Sequence, residues 1–156
     1  MNLLKIVDYK YNYAPVFKEL NERWIKKYFT IELQDIETLN SPQEIIDHGG
    51  FIIVCLYDHI PVGVCAVKKI TDIRYELCKF AVDEQYQGMG IGKLILEHCI
   101  SKAKNRNIPT LFLEGNTKLG SSIHLYEKFG FKKISLAEHA PHYSRVDIIM
   151  ELNLAI

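Results

Sequence analysis

A glycine-rich segment in the middle of the chain restricts the possible folds more than any other feature of this sequence. It reads Gln87-Gly88-Met89-Gly90-Ile91-Gly92-Lys93 and follows a hydrophobic stretch, from about Arg74 to Val82, that is typical of a strand. The apolar residues after it recur at helical spacing: Ile91, Leu94, Ile95, Cys99 and Ala103. The first turn of a helix has unpaired N–H groups and the positive end of the helix dipole. The segment therefore predicts a loop and helix start that can bind a pyrophosphate without a basic cluster.

Two nucleotide-binding motifs contain glycines of this kind, and neither fits. A P-loop needs Ser or Thr after its Gly-Lys pair, but Gly92-Lys93 is followed by Leu94. A dinucleotide-binding fold has Gly-x-Gly-x-x-Gly in an N-terminal βαβ unit, whereas the glycines here are at positions 88, 90 and 92 in mid-chain. A tight turn with no ligand is the remaining alternative, because glycines at this spacing often serve only the backbone.

The rest of the chain alternates between the patterns of strands and helices. Stretches in which apolar residues alternate with polar ones, or follow one another directly, predict strands at about residues 3–8, 51–56, 61–70, 74–82, 111–114, 131–134 and 146–154. Helical spacing or helix-start residues predict helices at about residues 13–28, 41–48, 91–106 and 120–129. No repeat or linker separates these elements, so we predict a single domain over residues 1–156.

Composition and charge exclude several classes of protein. The 156 residues are 48% hydrophobic and 24% charged, which is typical of a globular protein rather than of a disordered chain. The 19 basic residues balance 19 acidic ones, so we expect neither nucleic acid nor a membrane as a partner. No secretory signal pattern or membrane-length apolar run occurs, which predicts a cytoplasmic protein. The four cysteines lie in hydrophobic stretches and are expected to be reduced core residues.

Several separate motifs resemble those of one family of enzymes. Gln87, Gly90 and Gly92 match the acetyl-CoA signature Gln/Arg-x-x-Gly-x-Gly/Ala of the GNAT acetyltransferase superfamily. Residues 76–82 are similar to the splayed central strand of that superfamily, and Asn116 with residues 123–131 is similar to its later Asn and Leu-Tyr-x-x-x-Gly-Phe motifs. The resemblance spans roughly residues 50–154.

The resemblance implies a fold, a cosubstrate and an activity. The fold class is α/β (α+β), with a mixed, mostly antiparallel central sheet of six to seven strands flanked by about four helices. Acetyl-CoA is the implied cosubstrate, without a metal. The residues implied to bind it are Phe80, Ala81, Val82, Gln87, Gly88, Met89, Gly90, Ile91, Gly92, Lys93 and Asn116. The implied activity is transfer of an acetyl group to a primary amine of a small molecule or protein, by direct attack in a ternary complex.

Three steps of that reaction need a protein group. The acceptor ammonium must lose a proton to a base, and alternation along the predicted strand places Glu76 on one face with Phe80 and Val82. We prefer Glu76 as this base, with Glu114 as the competing candidate. The developing oxyanion needs a main-chain donor, which we expect near Val82. By its place in the motif, Tyr126 is the expected acid that protonates the leaving thiolate.

Four other residues are predicted to have no catalytic role. His139 and His142 lie in the loop before the last strand, and we expect them to be solvent-exposed rather than metal ligands, because no cysteine or carboxylate set completes a site. Trp24 and Tyr28 belong to the aromatic stripe of the first helix; contact with the acceptor is one alternative for them, but we expect them to pack in the core.

The acceptor is left open by the sequence. Balanced charge gives no clue to its sign, so the predicted partner is a small-molecule or peptide amine, and a homodimer is left open. Two other functions remain. One is an acyl-CoA-binding sensor or catalytically inactive GNAT-like module, and the other is a structural or nucleotide-binding domain whose glycines only form a turn.

Overall fold

The computed structural model describes residues 3–155; residues 1, 2 and 156 of the predicted domain lie outside this range. Within it, seven strands form one sheet: β1 (Leu4–Asp8), β2 (Phe51–Tyr57), β3 (Ile60–Lys69), β4 (Arg74–Val82), β5 (Thr110–Gly115), β6 (Lys132–Ile134) and β7 (Ile148–Asn153). Five α-helices accompany them: α1 (Ala14–Tyr28), α2 (Leu33–Asn40), α3 (Pro42–Asp47), α4 (Ile91–Asn105) and α5 (Gly120–Lys128). The expected fold class is confirmed, and α2 is a helix that the sequence patterns did not predict.

The sheet is antiparallel except at one pair of strands. Its order is β1-β2-β3-β4-β5-β7-β6, and β4 and β5 are the parallel neighbours. These two strands pair over three rungs, from Arg74 opposite Thr110 to Glu76 opposite Phe112. Beyond Glu76 the strands separate, while β5 continues its pairing with β7 on the other side. The separation leaves a gap in the middle of the sheet.

Both faces of the sheet are covered, which explains why the central strands are hydrophobic on both sides. Residues 51–56 of β2 are all buried, as is expected for a strand with helices on each face. One core cluster includes side chains of α1, α2 and α3, and the other includes those of α4. Cys55, Cys65 and Cys99 are buried free thiols in these clusters, and Cys78 is a partly buried one.

Lys79 interrupts the alternation of β4. Its φ of +51° lies in the left-handed region, and the register with β3 shifts beside it, as in a β-bulge. Before the bulge Cys78 packs on the α1 side of the sheet, whereas after it Phe80 and Val82 pack on the α4 side. The expectation that Glu76 shares a face with Phe80 and Val82 is therefore wrong, because the bulge reverses the faces between them.

None of the helices within residues 3–155 has both the length and the hydrophobicity needed to cross a membrane.

Candidate active site

A cleft of about 740 Å³ opens where β4 and β5 separate. The structure brings most of the predicted site residues into its wall: Glu76, Phe80, Ala81, Val82, Gln87, Gly88, Gly90, Ile91, Gly92, Asn116 and Tyr126. Met89 and Lys93 lie outside that wall, and the side chain of Met89 is exposed to solvent. The predicted residues thus converge on one cavity, although they are spread over fifty positions of the chain.

The glycine-rich loop forms one end of the cleft. Gly88 and Gly90 have φ values of +83° and +79°, which L side chains rarely adopt. A Cβ atom at either position would meet no other atom within 4 Å, so these glycines are not required by crowding within the protein. Gly90 is the N-cap of α4, and the first hydrogen bond of that helix runs from Leu94 N–H to the Gly90 carbonyl at 3.0 Å. The N–H groups of residues 91–93 therefore have no partner inside the helix.

The edge of β4 forms a second part of the wall. Its pairing with β5 ends at Glu76, so Phe80, Ala81 and Val82 lie where the two strands no longer share hydrogen bonds. Main-chain groups on a strand edge can pair with an extended ligand. This edge runs from the middle of the sheet to the glycine-rich loop.

Tyr126 lies in α5, and Gly130, just beyond the C-cap of this helix, has a φ of +95°. Its ring packs against Phe80 and Phe131, with centroid separations of 6.3 and 5.8 Å. Burial, with a smaller contribution from the thiols of Cys65 and Cys99, raises the pKa of Tyr126 above its ordinary value. The phenol is therefore protonated at neutral pH and can act as a proton donor.

Glu76 is a buried carboxyl group, with 6% of the residue exposed. Burial, and to a smaller extent the negative charge of Glu114, raises the pKa of Glu76 to about 7. Desolvation favours the neutral form of an acid, and a nearby carboxylate acts in the same direction. At neutral pH, Glu76 can therefore both take up and release a proton.

Glu114 also lines the cleft, and two histidines contact its carboxylate. His139 Nε2 lies 2.7 Å and His142 Nδ1 lies 2.6 Å from the same oxygen, Oε2. The main-chain N–H of His142 donates to the other oxygen, Oε1, at 2.8 Å. The expectation that no carboxylate accompanies these histidines is wrong. It is also wrong that both are solvent-exposed, since the His139 side chain is 13% exposed and the His142 side chain 41%.

A buried ion cluster joins α2, β4 and the loop before β7. Arg145 donates to both oxygens of Asp35, at 2.7 and 2.8 Å, and Lys79 Nζ lies 2.6 Å from Asp35 Oδ1. Burial alone would raise the pKa of Asp35, but the hydrogen bonds from Arg145 and Lys79 outweigh it and lower the pKa to about 2. The cluster fixes the loop that carries His139 and His142 against the rest of the fold.

Three further side chains line the cleft: Trp24, Tyr28 and Asn116. Trp24 and Tyr28 line the cleft, so the expectation that they only pack in the core is wrong. The aromatic stripe of the first helix was the sequence signal that could have identified them. Asn116, a predicted ligand residue, also lines the cleft, but its Nδ2 donates to the Arg145 carbonyl at 2.6 Å and its Oδ1 accepts from Lys118 N–H at 2.7 Å.

The similarity of this sequence to a known protein family agrees with the geometry of the cleft. The model of the Acetyltransferase (GNAT) family matches residues 14–131. The chain belongs to this family. In the GNAT fold of this chain, the family match covers the splayed strand, the glycine-rich loop and α5.

Solved GNAT structures have the same fold. An acetyltransferase of the GNAT family from Staphylococcus aureus MU50 superposes with a TM-score of 0.88, at 23% identity, covering 97% of this chain and 99% of that chain. A GNAT superfamily phosphinothricin acetyltransferase from Sinorhizobium meliloti, solved in complex with AcCoA, superposes with a TM-score of 0.80, at 16% identity, covering 99% of this chain and 90% of that chain.

A curated relative is similar over a shorter region. The [Ribosomal protein bS18]-alanine N-acetyltransferase of Escherichia coli (strain K12) is 34% identical over 85 residues, which are 51% of this chain and 56% of that protein. The match thus spans about half the length of this relative.

Proposed function

We propose that this GNAT protein transfers the acetyl group of acetyl-CoA to a primary amine, by direct attack while both substrates are bound. The observation that carries this proposal is a single cleft that joins four features. These are the free amides at the start of α4, the unpaired edge of β4, the buried carboxyl of Glu76 and the partly buried side chain of Tyr126.

The cleft suits acetyl-CoA in shape and in chemistry. The open space over Gly88 and Gly90, next to the amides of residues 91–93, is suited to the pyrophosphate, because helix N-termini bind such anions. Phe80, Ala81 and Val82 offer main-chain groups to the amide-containing arm of the molecule. Acetyl-CoA supplies an acetyl thioester, which is activated toward attack by an amine.

Glu76 is the proposed general base. An alkyl ammonium of pKa ~10.4 must lose a proton before it can attack, and a base with a pKa near neutrality accepts that proton more readily than an ordinary carboxylate does. Glu76 meets this condition and lies where the strands separate. Its competitor Glu114 already has a hydrogen bond to the His139 ring and one from the His142 main chain, and the His142 ring lies 2.6 Å from its Oε2. This supports Glu76 over Glu114.

Tyr126 is the proposed general acid. As sulfur leaves the acetyl group it becomes a thiolate, and a neutral phenol beside it can donate a proton. The developing charge on the acetyl oxygen needs a preorganised donor, for which main-chain N–H groups of β4 near Val82 are the candidates. No metal is required for any of these steps.

The amine acceptor is proposed to be a protein or peptide N-terminus. The E. coli relative is named for an alanine of ribosomal protein bS18. The aromatic side chains of Trp24 and Tyr28 and the carboxylates of Glu76 and Glu114 line the same cleft. Aromatic rings and carboxylates together favour a cationic group such as an ammonium.

A thiol-release screen tests the proposed function. The purified chain is incubated with acetyl-CoA and a panel of amines: peptides with N-terminal alanine, polyamines, aminoglycosides and free amino acids. Release of CoA thiol that depends on at least one amine, with an acetylated product seen by mass spectrometry, is the expected result. Binding of CoA without turnover across the panel would instead support the acyl-CoA-binding sensor or inactive module.

A further inference from the structure

We propose that Glu114, His139 and His142 form a binding site for a divalent transition metal ion, of which Zn²⁺ is the best match. The three side chains each offer one ligand atom, and these atoms lie within 4.8 Å of one another. Two imidazole nitrogens and one carboxylate oxygen are a common ligand set for zinc. Acetyl transfer as proposed above does not need this site.

The ligand atoms converge on one point. Both ring nitrogens, Nε2 of His139 and Nδ1 of His142, approach the same carboxylate oxygen of Glu114, at 2.7 and 2.6 Å. In a tetrahedral zinc site with bonds of about 2.0–2.1 Å, ligand atoms lie about 3.3 Å apart. Each histidine nitrogen therefore needs to move away from Glu114 Oε2 by roughly 0.6 Å to accommodate an ion, which rotation of the side chains can provide.

The surroundings hold these side chains in place, as a metal site requires. The main-chain N–H of His142 fixes the second oxygen of Glu114. The ring of His139 packs on Phe112, with 4.8 Å between the ring centroids. The loop that carries both histidines is anchored through Arg145, whose guanidinium binds Asp35 and whose carbonyl accepts a hydrogen bond from Asn116.

The three side chains differ in their exposure to solvent, and this difference suits a site that an ion enters from solvent. The Glu114 side chain is 2% exposed and that of His139 13%, whereas that of His142 is 41% exposed. An ion can reach the site past His142, and a water molecule on that side can supply a fourth ligand. The buried carboxylate of Glu114 also supplies a negative charge, which two neutral histidines alone would lack.

Calorimetric titration of the purified, EDTA-treated and desalted chain with ZnCl₂, without acetyl-CoA, tests the site. The expected result is saturable binding of one Zn²⁺ per chain. His139→Ala and His142→Ala should each weaken binding at least about tenfold. Glu114→Gln, which keeps the size and a hydrogen-bonding oxygen, should also weaken it. The control is His98→Ala, which changes an exposed histidine of α4 and should leave binding unchanged.

Thermal melting and circular dichroism of each variant check that it is folded. With Co²⁺ in place of Zn²⁺, the visible absorption spectrum should report tetrahedral coordination by the wild-type chain and change in the histidine variants. Absence of saturable binding, or equal binding by folded His139→Ala and wild-type chains, would overturn the proposal. Because no acetyl transfer is measured, failure here is separate from failure of the proposed function.

Discussion

Glu76 pairs with Phe112 at the last rung that β4 and β5 share. Beyond this rung the strands separate, so the Glu76 carboxyl lies where the cleft begins between them. The same position buries the carboxyl group and places it near the charge of Glu114, and both effects raise its pKa. One departure from regular pairing thus produces both the cavity and the raised pKa of Glu76.

Replacing Glu76 by glutamine tests its role as the base. Glu76→Gln keeps the shape of the side chain but cannot accept a proton, so we expect kcat to fall by about 10²–10⁴-fold. Binding of CoA, measured by calorimetry, should be unchanged. The comparison variant is Glu114→Gln. A larger loss of kcat in Glu114→Gln than in Glu76→Gln would assign the base to Glu114 instead.

The pH dependence of turnover follows from the pKa of about 7 at Glu76. A base is active when it is deprotonated, so kcat/KM should rise with pH through about pH 7. Above that pH it should level off, for an acceptor whose own deprotonation adds no second rise. The profile is measured in buffer containing EDTA, which keeps metal ions from Glu114. In Glu76→Gln, the residual rate should no longer change near pH 7. A wild-type rate that falls as pH rises through 7 would contradict the assignment.

Replacing Tyr126 by phenylalanine removes the proposed acid and little else. Tyr126→Phe keeps the ring contacts with Phe80 and Phe131, so we expect the fold and the affinity for CoA to be preserved. Turnover should fall by about 10²-fold or more. Tyr11→Phe changes a tyrosine that is 88% exposed and is the matched control. Equal turnover in the two variants would exclude Tyr126 as the acid.

The ion cluster at Asp35 predicts a loss of stability in acid. Because the pKa of Asp35 is lowered from 3.8 to about 2, its contribution is complete above about pH 4 and is lost as pH falls toward 2; the shift corresponds to about 2 kcal/mol. Asp35→Asn would leave Lys79 buried without its ion-pair partner and Arg145 with Glu32 as its remaining carboxylate, and should cost about 3 kcal/mol at pH 7. Urea unfolding at several pH values measures both effects. Asp72→Asn, at a residue whose side chain is 92% exposed, is the control and should have little effect.

Local patterns were sufficient to predict the strands and the glycine-rich loop, whereas the mostly antiparallel sheet and the choice of Tyr126 followed from the family resemblance. The start of α4 is encoded by residues that are neighbours in sequence, and Tyr126 lies within a short motif of α5. These features depend on contacts between nearby residues, which a sequence displays directly. Their convergence on one cleft agrees with the family resemblance.

Features that depend on distant contacts were not predictable from the same patterns. Arg145 and Asp35 are 110 positions apart, and Glu114 and His139 are 25 apart, so nothing in the local sequence indicates that they meet. The bulge at Lys79 has no composition signal, because lysine is not a residue that favours a positive φ. It nevertheless determines which side chains of β4 face each layer of helices.

Calorimetric titration with coenzyme A tests the central claim, that the glycine-rich loop and α4 bind this molecule. The wild-type chain should bind one CoA. Gly90→Ala should bind it more weakly, because an L side chain at a φ of +79° costs about 1–2 kcal/mol and distorts the loop. Gly92→Ala, where a Cβ would lie 3.7 Å from Leu125 and Phe80, should bind CoA as the wild type does. No heat on mixing wild-type protein with CoA would contradict the claim.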